Sequence, residues 1–367
     1  MSSTGVTLSG SFSGATGTIS ETGFLYGTTS GNLSTNGIKV STGVSTSSFS
    51  ETLEGLTAGT KYYYMAFVRE YDGTAGSIVY RYGKELSFTT FQSEDLIPTG
   101  WLELPGDAGA ADFVGTFYGS GSESDANRNY SYNYSYQYYS SLWVAYPLTL
   151  ANTKGSASTS SWIYNDNIPN LYEINIVDNS YPTMYKNADK YSRGHQIPNA
   201  DRKNDQTMNK QTYITTNQTP QIQDKFNGSI WGSLETAIRG LLSGDETFYI
   251  VTGPTYRKVG GNETISYLTG ASGKDANPTS LPLANYYWKA ILRVKQNENG
   301  EVLKAIAIGF WFEHKEYEST EKFNDSKYIV SVNQIEEWTG FDLFANLPNS
   351  KEATAESNTS WTNFQNL

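Results

Sequence analysis

The chain of 367 residues has no cysteine and only two histidines. The first absence removes thiol nucleophiles, cysteine-bound zinc and disulfides, but leaves the compartment open, because a chain this long can bury its cores without covalent staples. The second confines imidazole chemistry near neutral pH to His195 or His314. Positive charge is scarce as well. The 26 Lys and Arg against 37 Asp and Glu give a formal charge of −11, which argues against polyanion binding over the whole surface while permitting a local basic site. No apolar run approaches the roughly 20 residues needed to cross a bilayer. Met1-Ser2-Ser3-Thr4-Gly5 lacks the basic and apolar regions of an export signal.

The chemistry concentrates between Tyr191 and Arg239. His195 stands in Ser192-Arg193-Gly194-His195-Gln196-Ile197-Pro198, beside a cation, a turn-permitting glycine and a proline, which predicts a strand end turning into a loop. Gln211 to Thr216 is expected to be a second strand, and Thr219-Pro220 a helix entry with a capping hydroxyl before proline. Phe226, Ile230, Leu234, Ala237, Ile238 and Leu241 then recur at helical spacing and Gly244 follows. Asn227, Trp231, Glu235 and Arg239 form an adjacent i+4 row on that helix. Asn227 and Glu235 would lie about 12 Å apart along its axis at 1.5 Å per residue. They are too far apart to share one small cation directly. An amide oxygen as ligand, with the carboxylate holding a metal-bound water, suits Mg²⁺, which dehydrates reluctantly.

Further motifs keep a fixed order around these residues: Trp143-Val144-Ala145-Tyr146, Asn217-Gln218-Thr219-Pro220-Gln221, Val251-Thr252-Gly253-Pro254, Tyr287-Trp288-Lys289, Ile335 to Gly340 and Asn346-Leu347-Pro348. Together they resemble the DNA/RNA non-specific endonucleases of the ββα-metal type, over residues 98 to 350. The resemblance implies an α+β domain with a central antiparallel sheet and flanking helices, and an Mg²⁺-dependent hydrolase of DNA and RNA, with Mn²⁺ as a substitute. It implies cleavage to 5′-phosphate and 3′-hydroxyl ends. The phosphate backbone would be the contact, so base sequence and sugar type should matter little.

Matched to that motif, His195 is the general base. Arg193 and Arg239 bind the phosphate, Asn227 ligates the metal, Glu235 acts on it through water, and Asn217 holds the loop. Two positions depart from the pattern. Ser192 stands where the family has aspartate before Arg-Gly-His. If Trp162 is the family's tryptophan, Ser160 stands where secreted members carry an active-site arginine, and Arg202 and Arg128 are the cations left open for that role. His314, in Phe312-Glu313-His314-Lys315, reads as a solvated strand end whose replacement by alanine should be nearly silent.

Residues 1–91 show short alternating runs between Gly, Ser, Thr and Asn clusters, the pattern of an all-β sandwich. Leu53 to Tyr62 resembles the tyrosine corner of fibronectin type III domains, modules common in bacterial surface proteins. The expected role is an inert spacer. A linker is expected over 92–99, the nuclease domain over 100–350 and a frayed polar tail over 351–367. An extracellular, periplasmic or cell-surface location fits this organisation. Tyr130, Tyr132, Tyr134, Tyr136 and Tyr138 alternate with polar residues, and half-buried sheet packing is preferred to a base-stacking platform. Strands are expected at Leu142–Tyr146, Thr247–Val251, Tyr286–Val294 and Lys304–Phe312, and a capped helix from Ser331 to Gly340. Two other functions compete with the nuclease: a surface protein with a decayed site that binds glycan or nucleic acid, and a phosphodiesterase for a smaller substrate.

Overall fold

A computed structural model describes residues 5–15, 17–45, 47–57, 60–72, 76–90, 101–106, 111–121, 123–124, 127–169, 172–173, 191–269, 280–296 and 302–367. The chain divides into two compact units, Met1–Leu96 and Ile97–Leu367. The expected linker over 92–99 lies outside the described residues.

The first unit is built of antiparallel strands. β1 (Val6–Ser11) pairs with β4 (Ser48–Leu53), and a second sheet runs β3 (Ile38–Gly43), β2 (Thr18–Gly27), β5 (Lys61–Asp72), β6 (Ser77–Tyr82), with β7 (Leu86–Thr89) also on β5. Val6, Leu8 and Leu53 from one sheet and Phe24, Tyr62 and Phe88 from the other meet in one core. The Tyr62 hydroxyl accepts a hydrogen bond from the Thr57 N–H at 3.0 Å, tying the approach loop to the strand it enters.

The second unit is organised on a seven-stranded antiparallel sheet. In spatial order its strands are β18 (Ile329–Val330), β17 (Val302–Glu313), β16 (Tyr286–Gln296), β13 (Thr247–Thr255), β10 (Ser140–Thr149), β9 (Arg128–Ser135) and β8 (Phe113–Tyr118). The strands expected at Leu142–Tyr146, Thr247–Val251, Tyr286–Val294 and Lys304–Phe312 fall within this set. Period-two alternation sorts its side chains into two cores. On β16, Tyr287 and Ile291 join one core while Trp288, Ala290 and Leu292 join the other. Helix α1 (Val332–Thr339), begun by the Ser331 hydroxyl accepting from Gln334 N–H and ended at Gly340, covers the second face with Leu343, Phe344 and Leu347. The first face carries the hairpin of β11 (Tyr191–His195) and β12 (Gln218–Ile222) and the helix that follows.

Tyr130, Tyr132 and Tyr134 are fully buried in the first core. Tyr136 and Tyr138 lie beyond β9 and stack on Tyr172 and Tyr256, with ring centroids 4.1 and 4.0 Å apart. The tyrosine ladder therefore packs the sheet.

The polar tail is ordered, contrary to expectation. α2 (Asn349–Glu356) and α3 (Trp361–Gln365) pack on β17, Ser360 caps α3, and Phe364 is fully buried against Phe248. Average composition hid two aromatics three residues apart, which is enough to anchor one helical turn. Among the described residues no helix is long and apolar enough to cross a membrane.

Candidate active site

The hairpin differs from the expected one by a shift of a few residues. Gln211 to Thr216 is not a strand. Helix α4 (Gln206–Gln211) ends there, Ile214 makes a single bridge to Ile163, and the second strand is β12, with Pro220 opposite Arg193. Thr219-Pro220 is thus strand, not helix entry. Proline is tolerated because β12 has one neighbour, so a missing N–H can face away from the ladder. Gly194 is required where it stands, since a Cβ there would fall inside the buried Gln221 amide.

His195 ends β11. Its ring lies between Trp162 at 4.8 Å and Tyr213 at 4.6 Å, and its Nε2 is enclosed without a hydrogen-bond partner. Burial, and after it the Arg193 cation, lower its pKa to about 4, so the imidazole is neutral at physiological pH. The Arg193 guanidinium lies over the Trp162 ring at 5.3 Å. Asn217 is fully buried: its Nδ2 donates to the Ile197 and Thr212 carbonyls, and its Oδ1 accepts from Ile197 N–H at 2.9 Å. The turn out of β11 is thereby fixed to the entry of β12.

The segment after β12 is not one straight helix. Gln223–Trp231 forms a wide π-type turn with non-helical torsions at Ser229, and a regular helix, α5, covers only Gly232–Leu241. Gly232 N–H reaches back to the Asn227 carbonyl, and glycines at 228 and 232 weaken the regular ladder between the two parts. The 12 Å spacing of Asn227 and Glu235 on one axis therefore does not hold, because it assumed a continuous α-helix. What brings Asn227 to the hairpin is Ser192: Asn227 Nδ2 donates to Ser192 Oγ at 3.3 Å, and Ser192 Oγ donates to the Gln221 carbonyl at 3.4 Å. Both bonds are long, and the one from Asn227 ends on a neutral hydroxyl, a weaker acceptor than a carboxylate at position 192 would be. With its amide nitrogen so engaged, and also 3.5 Å from Gln223 Oε1, Asn227 turns its oxygen the other way.

The helix residues meet a different set of partners. Arg239 pairs with buried Asp201 at 2.8 Å, instead of with Glu235 one turn earlier. Burial works against the Arg239 charge, but Asp201 and then Glu235 outweigh it and raise its pKa. Asp201 also accepts from the Tyr146 hydroxyl at 3.1 Å. Burial raises the pKa of Glu235 against the pull of Lys289, and burial lowers that of Lys289. Lys289 is fully buried, its Nζ 4.9 Å from the centre of the Trp231 ring and without a hydrogen-bond partner. Asp201 and Lys289 were not singled out from the sequence. A signal existed for Lys289: it interrupts Tyr287 and Ile291 on the face of β16 that bears the site.

Neither cation considered for the charge missing at Ser160 is available. Arg202 is buried and spends its guanidinium on Asn129 and on the carbonyls of Asn129, Pro147 and Asp201. Arg128 pairs with Glu103 at 2.7 Å. Ser160 itself is exposed and uncharged.

His314 is not a solvated strand end. Its Nε2 accepts from Ile222 N–H at 3.0 Å, its Nδ1 lies 3.0 Å from the Ala284 carbonyl, and Phe226 and Tyr287 meet its ring edge to face. A carbonyl can only accept and an amide N–H only donate, so the tautomer carries its proton on Nδ1. His314→Ala should cost about 2–4 kcal/mol, because it orphans two buried backbone groups. Urea denaturation checks this; a loss of unfolding free energy under about 0.5 kcal/mol would restore the solvated reading.

As donors for a cation, the described residues hold no cluster of three His, Cys, Asp or Glu side chains. One neutral amide oxygen and a half-buried carboxylate are a poor set for zinc and a fitting one for a hard, largely hydrated ion.

A strand pair feeding a helix, with a histidine on the first strand and an asparagine in the turn that enters the helix, makes a ββα arrangement. The family profile described as DNA/RNA non-specific endonuclease matches residues 113–350, and the chain belongs to that family. It is 27% identical over 213 residues to Nuclease 1, mitochondrial, of Schizosaccharomyces pombe, a match covering 57% of this chain and 61% of that protein. It is 28% identical to a nuclease of Nostoc sp., over 58% of this chain and 75% of that one. The nuclease of Serratia marcescens is 29% identical, over 59% and 72%. The chain thus spans about three fifths to three quarters of these relatives' lengths. A chain of the EndoG/EndoGI complex superposes with a TM-score of 0.49 at 18% identity, covering 63% of this chain and 87% of that one.

Proposed function

We propose that this chain hydrolyses phosphodiester bonds in DNA and RNA without regard to sequence, using bound Mg²⁺, with His195 as general base. The observation that carries the reading is the His195 ring, held between Trp162 and Tyr213 with an Nε2 no protein group occupies. That nitrogen would take a proton from water as the water oxygen bonds to phosphorus. The bond from phosphorus to the 3′-oxygen breaks and that oxygen takes a proton from solvent, leaving 5′-phosphate and 3′-hydroxyl ends. Arg193, anchored over Trp162 on the same strand, would pair with a non-bridging oxygen. Arg239 is already held by Asp201, so it would act from a fixed position with the donors that pair leaves over.

The ion would sit on Asn227 directly and on Glu235 through water. It would supply neutralisation of charge on the phosphoryl and departing oxygens. Lys289 would hold Glu235 in place and balance part of its charge. The family's use of a metal, the single amide oxygen and the half-buried carboxylate support this. The first unit we read as a fibronectin type III-like spacer, on the strength of the Thr57–Tyr62 bond.

Supercoiled plasmid and a folded RNA incubated with the full chain and Mg²⁺ should both be degraded to 5′-phosphorylated fragments, and chelation should stop it. Intact substrates at micromolar protein with Mg²⁺ or Mn²⁺ would sink the reading and favour a decayed binding protein.

A further inference from the structure

Outside the hairpin of β11 and β12, Ala151, residues 154–157, Lys203, Asn204 and Gln206 line an open cleft of about 710 Å³. Lys203 N–H bonds to the Asn152 carbonyl at 2.7 Å and Ala157 N–H to the Lys203 carbonyl at 3.1 Å. The Gln206 side chain bridges Ser158 in both directions, at 3.0 and 3.2 Å. These bonds fix the walls without help from a ligand. Gly155 has φ +118 and sits against the Lys203 carbonyl, where a side chain would collide.

The lining is exceptional in charge. In a chain of formal charge −11, the cleft is lined by Lys154, Lys203, Asn204, Gln206 and Ser156 and by no acidic side chain; the carboxylate of Asp205, between two of these, accepts from Ser120 and the Met208 N–H. Lys203 Nζ is braced by Asn199 Oδ1 at 2.7 Å and the Ala157 carbonyl at 3.2 Å, neither of which neutralises it. Lys154 is exposed. Both walls lead into the site. Ala157 is five residues before Trp162, a reach of at most about 18 Å, and Lys203 is two residues after Asp201, at most about 7 Å.

We infer that this cleft is a backbone-binding subsite, in which Lys154 and Lys203 take phosphates of the substrate strand a few nucleotides from the scissile bond. The inference rests on the nuclease reading and deepens it: a polyanion approaching an acidic protein is drawn to the surface where like charge is missing. It also locates binding charge that the uncharged Ser160 does not provide.

The test is fluorescence anisotropy of labelled single strands of 2, 8 and 20 nucleotides with the full chain in chelator, so that nothing is cut. Lys154→Glu should weaken the 20-mer about five- to tenfold and the dinucleotide much less, and should lower the salt slope by about one. Lys154→Arg should restore binding. Equal loss at all lengths, or none, would overturn the subsite, as would competition by inorganic phosphate as effective as that by the 20-mer. A cleavage assay runs in parallel. Lys154-dependent binding without cleavage would keep the cleft and defeat the nuclease reading, whereas cleavage with binding indifferent to Lys154 would do the reverse.

Discussion

Replacement of His195 by alanine should lower kcat about 10²- to 10⁴-fold, the range general-base catalysis supplies, with little change in KM. The only other histidine has both ring nitrogens committed to Ile222 and Ala284 and cannot stand in. The pH dependence makes the assignment sharper. Because burial and Arg193 bring the His195 pKa down to about 4, the base is unprotonated above that value and is lost as pH falls through it. The acid limb due to this group should lie near pH 4 and not near 6.5. Stability has its own sign. A histidine whose folded pKa is lowered contributes fully above its unfolded value of about 6.5, and that contribution is lost between about 6.5 and 4, by at most about 3 kcal/mol. Protein at pH 5 should therefore be less stable towards urea than at pH 7 while its base is still mostly neutral. An acid limb at pH 6.5 in kcat, with the fold intact, would take the base role away from this enclosed ring.

Asn227→Ala should abolish metal-dependent cleavage, and no Mg²⁺ concentration up to tens of millimolar should rescue it. The reason is the donor inventory: among the described residues no cluster of carboxylates or histidines offers a second set of ligands. Glu235→Gln should slow the reaction less, since it keeps one acceptor oxygen and removes a half-buried charge that desolvation disfavours. Isothermal titration with Mn²⁺ separates ligation from catalysis. Asn227→Ala should lose the binding heat and Glu235→Gln should retain most of it. The reverse order would make Glu235 the direct ligand and move the metal towards the Asp201 and Lys289 end of the site.

The sequence was most informative where one local pattern needed no partner. Alternation marked the strands of the large sheet, because each residue on a buried strand must match one of two cores. Ser331 and Gly340 bounded their helix through bonds made within one turn. Ordered motifs carried the family, and the profile match over 113–350 agrees with that resemblance. Where local patterns competed, sequence misled: Thr-Pro is a good helix start and also an acceptable edge strand, and only pairing with β11 decided between them.

What the sequence by itself determined is the strands of the large sheet and the family, and with two imidazoles and no thiol it narrowed the candidates for a base to His195 and His314. Tertiary structure decided the rest. It decided that Arg239 answers to Asp201 rather than to Glu235, that Lys289 stands buried behind the carboxylate, and that Arg202 is spent on backbone carbonyls. It also turned His314 from a surface residue into a tie between two backbone segments. Each of these depends on groups from 30 to 92 residues apart in the chain, and the favourable partner of a buried charge or lone pair is fixed by which strands lie side by side. That is a property of sheet order and register, which a one-dimensional pattern of hydrophobicity does not encode.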